Sequence, residues 1–390
     1  MSGKRTELRG ITWQHTRGFV PMVATAQRFA ELHTDVNIRW EVRSLQAYAD
    51  QPIEIVAKEF DLLVIDHPCV GRASYGDVLL PINALLDRAF LEEQKANAVG
   101  ASYESYVWAG NIWALPIDTA APVSGARLDL LKRHGADRPK SWNDLMMLAK
   151  RDLVIVPAVA IDSLMNFYML CVGLGEEPFA RGSEVVSQET GRRALVMLRE
   201  LVCACDPECL RRNPIAVWEV MSSSDEAAYC PFAYGYSNYA REGYGKSVID
   251  FGGLVHLEDG AVLRSTLGGA GLAISKHRRE PAVAAAYAQF VASERTQCGI
   301  YFESGGQPGL RKAWTDAEVN RRSGNFFLKT LDVLDNAYVR PRFEGYLHFQ
   351  DSAGELVHKY LSGGGDERSV LEKLNQLLMH AHRPVREVVH

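Results

Sequence analysis

The order of apolar periods at the N-terminal end of the chain narrows the fold more than any other feature. Leu8–Trp13 reads as a strand, and Phe19 to Leu32 follows with Phe19, Met22, Val23, Ala26, Phe29 and Ala30 on one helical face. Val36–Val42 then alternates, and Asp61–Ile65 is a near-continuous apolar run, the pattern of a strand buried on both faces of a parallel sheet. These segments begin a β-α-β-α-β order, which implies an α/β layer. Asp66-His67-Pro68 closes the third strand with a turn, which places these side chains at the carboxyl edge of the sheet, where open α/β sheets bind ligands. The next strand signal, Ile112–Pro116, leads into Ile117-Asp118-Thr119.

A second α/β unit starts near Pro122. Leu128–His134 and Trp142–Arg151 read as helices, the latter opened by Ser141 with Asp144 in its first turn. Val154–Pro157 is a buried strand signal, Met165–Val172 reads as a helix, and Ser187 caps Gln188–Cys203. Tyr229–Tyr236 and Val248–Phe251 read as strands, followed by a turn at Glu258-Asp259-Gly260. Gly268-Gly269-Ala270-Gly271 precedes the apolar strand Leu272–Ile274, and a helix runs from Pro281 to about Gln297. The tail is helical at Phe326–Asn336, Asp351–Leu361 and Ser369–His380. No repeat, low-complexity tract or long linker separates the two halves, so chain crossings between them, and a ligand cleft at their junction, are expected.

The 390 residues are enough for two such units, and 47% hydrophobic with 23% charged residues excludes a disordered chain. With 43 Lys and Arg against 48 Asp and Glu, there is no basic excess to neutralise phosphates, which argues against nucleic acid as a partner. No apolar stretch is long enough to span a bilayer, so the chain is not expected to be membrane-embedded. Nothing at the N-terminus reads as a secretory signal, and the odd count of seven cysteines leaves at least one free thiol. Cys203, Cys205 and Cys209 cluster at a helix end, but no histidine lies nearby to complete a zinc site; they form a local disulfide in an exported protein or stay free in a reduced one. Ala240 to Ser247 nearly spells a phosphate-binding loop, yet a strand signal follows where that motif needs a helix. The signatures of serine hydrolases, zinc proteases and dinucleotide enzymes are missing, so no catalytic residue, metal or cofactor is assigned.

Several segments in order, spread over nearly the whole chain, resemble the carbohydrate-type extracellular solute-binding proteins of ATP-binding-cassette importers, the maltose-binding type. They are Phe60-Asp61-Leu62-Leu63-Val64-Ile65-Asp66, Leu79-Leu80-Pro81-Ile82, Gly110 to Asp118, Pro139 to Leu145, Leu267 to Ser275, Ser293 to Gln297 and Arg340-Pro341-Arg342. The resemblance implies a two-lobe periplasmic-binding-protein-like α/β fold closing around a solute. One lobe would hold 1–118 plus 272–315 and the other 122–268 plus 318–390, with hinges near 118–122, 268–272 and 315–318. It also implies capture of a polar small molecule, a saccharide or acidic sugar derivative, delivery to permease subunits, a periplasmic location and a monomer. The missing signal segment keeps a cytoplasmic location open, with the fold serving instead as a lyase, dehydratase, isomerase or solute sensor.

Sugar recognition needs planar carboxylate, amide and guanidinium groups for vicinal hydroxyls and an aromatic face for the apolar side of the ring. Trp13, His15, Arg17, Asp66, His67, Asp118 and Thr119 stand at the loops of the first lobe where such groups would face a ligand. Asp162, Asn166, Phe232, Tyr234 and Tyr236 are placed similarly in the second, and Pro231 to Tyr234 resembles an aromatic stretch that stacks on sugar in maltose-type binders. The aromatics read equally as core, and Asp66 as a loop cap. Gly269 lies in a run that either admits ligand to backbone N–H groups or simply crosses between lobes, and Glu303 has the same double reading. Arg340 and Arg342, with Arg17 and the two histidines, favour an anionic solute.

Overall fold

The computed structural model describes residues 5–44, 52–257, 260–277 and 280–382. Its strands are β1 (Thr6–Trp13), β2 (Val36–Arg43), β3 (Leu62–Ile65), the hairpin pair β4 (Val107–Trp108) and β5 (Asn111–Ile112), β6 (Leu115–Ala120), β7 (Pro122–Ala126), β8 (Tyr229–Tyr234), β9 (Asp250–Gly252) and β10 (Gly268–Ile274). The chain divides into two compact units. Met1–Ala120, Tyr236–Asn238 and Leu267–Asp335 make the first; Ala121–Gly235, Tyr239–Thr266 and Asn336–His390 make the second.

In the first unit a five-stranded sheet runs β2-β1-β3-β10-β6. β1 pairs in parallel with both β2 and β3, whereas β10 is antiparallel to β3 and β6. All four residues of β3 are buried, as its unbroken apolar run requires of a strand with neighbours on both sides and cover on both faces. Helices α1 (Thr16–Leu32) and, far along the chain, Pro281–Ala292 pack on the sheet. Tyr287 ties these layers: its buried hydroxyl lies 2.9 Å from Thr25 Oγ1 on α1 and accepts a hydrogen bond from Trp40 Nε1 on β2 at 3.2 Å.

In the second unit a three-stranded sheet, β8-β7-β9, is antiparallel throughout. Helix α2 (Ala160–Gly173) is buried from Asp162 to its last residue, so it is the core of this unit rather than a surface helix. Helices α3 (Gln188–Cys203) and α4 (Tyr346–Gly363) pack against it, α4 along its length, and α5 (Glu367–Ala381) packs on α3 and α4. The capping readings at Ser141 and Ser187 hold. Ser141 and Asp144 form a reciprocal capping box, and Ser187 Oγ accepts from the Thr190 N–H.

The structure departs from the sequence reading at several places. Asp118 and Thr119 lie inside β6, because β10 continues through Gly268 to Ala270 and pairs with them. The last crossing falls after Asp335 and not at 315–318, since residues up to Asp335 cluster with the first unit. The Arg311 guanidinium shows why, bonding Asp335 across the end of that unit. Tyr236 belongs to the first unit with Ser237 and Asn238, although the strand before it is in the second. The expected turn at Glu258-Asp259-Gly260 lies partly outside the described residues. No helix among the described residues is long and apolar enough to cross a membrane.

Candidate solute-binding residues

In the first unit the expected residues converge at the end of β1 and the start of α1. Trp13 is the last residue of β1 and is buried; a Cβ on Gly18 would come within 2.4 Å of its indole, so only glycine lets the helix start this close. His15 is the N-cap of α1, its Nδ1 accepting the Arg17 N–H at 3.0 Å. That bond fixes the tautomer with the proton on Nε2. Burial, with Arg17 adding to it, lowers the imidazole pKa to about 4, so His15 is neutral at physiological pH.

Arg17 does not face a ligand with a free charge. It is 3% exposed, its Nε donates to Asp118 Oδ2 at 2.8 Å and its Nη2 to Asp118 Oδ1, a bidentate pair. Asp118, on β6, is 1% exposed. Burial works against the guanidinium charge, but Asp118 at contact outweighs it and raises the Arg17 pKa. Burial likewise raises the Asp118 carboxyl, opposed by Arg17. Arg17 also lies 4.5 Å from the Tyr236 ring centroid, and His15 meets the same ring edge-on at 4.6 Å. The guanidinium therefore sets the place of an aromatic face and of a neutral imidazole donor.

Around this cluster, Gln307 accepts the Ser237 N–H at 3.0 Å and donates to Thr119 O at 2.8 Å, while Asn238 Nδ2 donates to Gly305 O at 3.1 Å. Gln307 and Asn238 were not singled out from sequence. Gln307 lies four residues after Glu303, and no local pattern tells which polar residue of such a segment turns inward. Gly269 has φ of +112°, and a Cβ there would stand 2.3 Å from Asp118 O; its glycine serves the close pairing of β10 with β6.

Several other expected residues have structural partners. Asp66 caps the short turn His67–Cys69, its Oδ1 accepting the His67 N–H at 2.8 Å, and the His67 ring is buried edge-on to Tyr106. Glu303 is exposed and paired with Arg322 at 3.2 Å. In the second unit Phe232 is core. Tyr234 is half-buried with its hydroxyl 3.3 Å from Thr266 Oγ1, and Asn166 Nδ2 donates to Pro157 O at 2.9 Å. Arg340 is buried and donates to Gln350 Oε1 at 3.1 Å; Arg342 is half-buried. Asp162 is buried on the first turn of α2. Cys203 is exposed and Cys205 and Cys209 are buried, all three as free thiols.

A mixed α/β chain in two such units is the architecture of the two-lobe solute-binding proteins. The likeness extends over nearly the whole chain: a maltose-bound protein of T. maritima matches with a TM-score of 0.84 at 17% identity, covering 96% of this chain and 99% of that one. A ribitol complex of a solute-binding protein of Agrobacterium radiobacter K84 gives 0.82 at 16% identity, covering 95% and 97%. One from Thermotoga lettingae TMO bound with α-D-tagatose gives 0.81 at 16%, covering 96% and 100%. The family model described as bacterial extracellular solute-binding protein matches residues 12–169. No curated protein sequence matches the chain. The chain thus has the fold of these solute-binding proteins, and its residues 12–169 match the bacterial extracellular solute-binding protein model.

Proposed function

We propose that this protein captures a neutral polyhydroxylated solute, a saccharide or polyol, for an importer of the ATP-binding-cassette class, outside the cytoplasmic membrane and without chemical conversion. The whole-chain likeness to receptors whose complexes hold maltose, ribitol and tagatose supports the solute class. The observation that carries the preference for a neutral solute is the closed Arg17–Asp118 pair. Arg17 was one of the five groups that favoured an anion, and its charge is already answered inside the first unit. Beside that pair lie the Tyr236 ring and the neutral His15 imidazole, which suit the apolar side and the hydroxyl oxygens of a sugar. The crossings at 120–121, 235–236, 238–239, 266–267 and 335–336 are the hinge in this reading, acting as one monomer.

A thermal-shift panel of maltose, ribitol, D-tagatose, D-mannitol and their acidic counterparts tests the reading. A binder raises the melting temperature by mass action, and the account expects the largest rise from a neutral member. A flat response from folded protein rejects solute capture of this class, and a rise confined to the acids rejects the neutral preference.

A further inference from the structure

Three residues of the first unit stand apart from the chain around them. Tyr236–Asn238 cluster with this unit, whereas the residues just before and after them belong to the second. They carry the ring that meets both Arg17 and His15, so whatever holds them holds that ring. Their own hydroxyl and carbonyl oxygens do not supply the hold: Ser237 Oγ and Asn238 Oδ1 are buried without a hydrogen-bond partner among the described residues, as is Thr119 Oγ1 on β6. The link runs through Gln307, which is fully buried. Its Oε1 accepts the Ser237 N–H at 3.0 Å and its Nε2 donates to Thr119 O at 2.8 Å, the two bonds that one planar amide makes as acceptor and donor together. Ser237 follows Tyr236 and Thr119 follows Asp118, and Asp118 holds Arg17, whose guanidinium lies 4.5 Å from the Tyr236 ring centroid. Gln307 thereby closes a circuit through Tyr236, Arg17 and Asp118.

The stretch that carries Gln307 is itself fixed. A Cβ on Gly306 would stand 2.4 Å from the Tyr301 ring, and one on Gly309 would stand 2.5 Å from Pro116 O, so glycine at both positions lets the backbone lie directly against that ring and β6. The Gly309 N–H donates to Gln297 Oε1 at 2.8 Å, and Trp314 Nε1 donates to Pro308 O at 2.7 Å, both in the interior. At the other end, Gly305 O accepts from Asn238 Nδ2 at 3.1 Å, a second tie to the same three residues. The Gln307 amide is thus presented from a base that buried hydrogen bonds hold in place.

We infer that Gln307 is a positioning residue for solute capture, fixing the Tyr236 ring against Arg17 and His15 before solute arrives. Both of its polar atoms are engaged within the first unit, so it acts through Tyr236 and not on the solute. This rests on the solute-capture reading with Tyr236 as a contact, and adds the group that preforms that contact. A ring already in place needs less ordering on binding, and loss of the clamp therefore weakens affinity while every group that meets solute is still present.

The test uses the full chain with its tyrosine rings labelled with carbon-13, and Tyr236→Phe to identify the Tyr236 resonance. In the solute-free wild type that resonance is expected to be displaced from the free-tyrosine position by the His15 ring, 4.6 Å away. Gln307→Met keeps the length of the side chain and removes both bonds, and should move the resonance back toward the free position. Gln307→Glu, whose oxygen still accepts the Ser237 N–H, should restore most of the displacement. In calorimetry with maltose, ribitol, D-tagatose and D-mannitol, Gln307→Met should weaken whichever of them binds by about fivefold or more, yet by less than about twofold when Tyr236 is already Ala. If Met at 307 does not fold, Gln307→Asn, too short to reach both partners, takes its place with the same expectations. A Tyr236 resonance that stays where it was, or an affinity loss equal with and without the Tyr236 ring, overturns the inference and leaves the capture reading intact. No binding of any of the four by folded wild type overturns the capture reading, and the inference with it.

Discussion

Replacing Arg17 with Met keeps the length of the side chain near the guanidinium and removes its charge, which leaves Asp118 at 1% exposure with no counterion. Breaking a buried pair on one side costs about 3–5 kcal/mol, because the remaining charge has neither water nor partner. The contact with the Tyr236 ring adds about 0.5–1 kcal/mol. Against a total stability of roughly 5–15 kcal/mol, this is a large share. The loss carries a pH signature. With Arg17 gone, the folded-state pKa of Asp118 lies far above its unfolded value near 3.9, so the unfolded chain sheds the proton first and stability falls as pH rises from about 4. Urea denaturation followed by tryptophan fluorescence should show Arg17→Met deficient by several kcal/mol at pH 8 and by clearly less at pH 5. Adding Asp118→Leu should recover most of the deficit. A single variant within about 0.5 kcal/mol of the wild type at pH 8, or a double variant no more stable than the single, would refute the assignment of Arg17 to Asp118.

The N-cap His15 has its imidazole pKa lowered to about 4, below the unfolded 6.5, so the unfolded state takes up the proton first and stability drops as pH falls through that window. His15→Asn keeps an N-cap acceptor and should be free of that drop, which parallel melts at pH 4.5 and 7 will show. Gly269→Ala meets both the φ of +112° and the Asp118 carbonyl, and should lower stability by about 1–3 kcal/mol in chemical denaturation. Tyr236→Ala removes the ring on which Arg17 and His15 converge, and should weaken solute binding by about tenfold or more while Tyr236→Phe stays near the wild type.

Much of the architecture could be read from periodicity because burial enforces it. The unbroken run ending at Ile65 is a central strand, and the face formed by Ala194, Leu195, Leu198, Leu201 and Val202 is the buried face of α3, whose start at Ser187 is also as expected. Long-range pairing was less legible. Nothing local tells that Gly268 to Ala270 pairs with β6, which draws Asp118 and Thr119 out of a loop and into a strand. The pair itself joins residues 101 positions apart, so a lone arginine near a strand end read as a charge awaiting a ligand. Tyr236 was legible as an aromatic of interest but not as part of the first unit, since the chain changes unit just before it and returns after Asn238.

The central claim is that the aromatic and neutral donor groups gathered by the Arg17–Asp118 pair receive a neutral saccharide or polyol. Isothermal titration of the wild type and of Tyr236→Ala with the panel member giving the largest thermal shift tests it most directly. The account predicts one saturable site per chain in the wild type and a Kd weaker by about tenfold or more in the variant at unchanged fold. An equal Kd in both proteins, or no saturable heat from any neutral member of the panel, would contradict it.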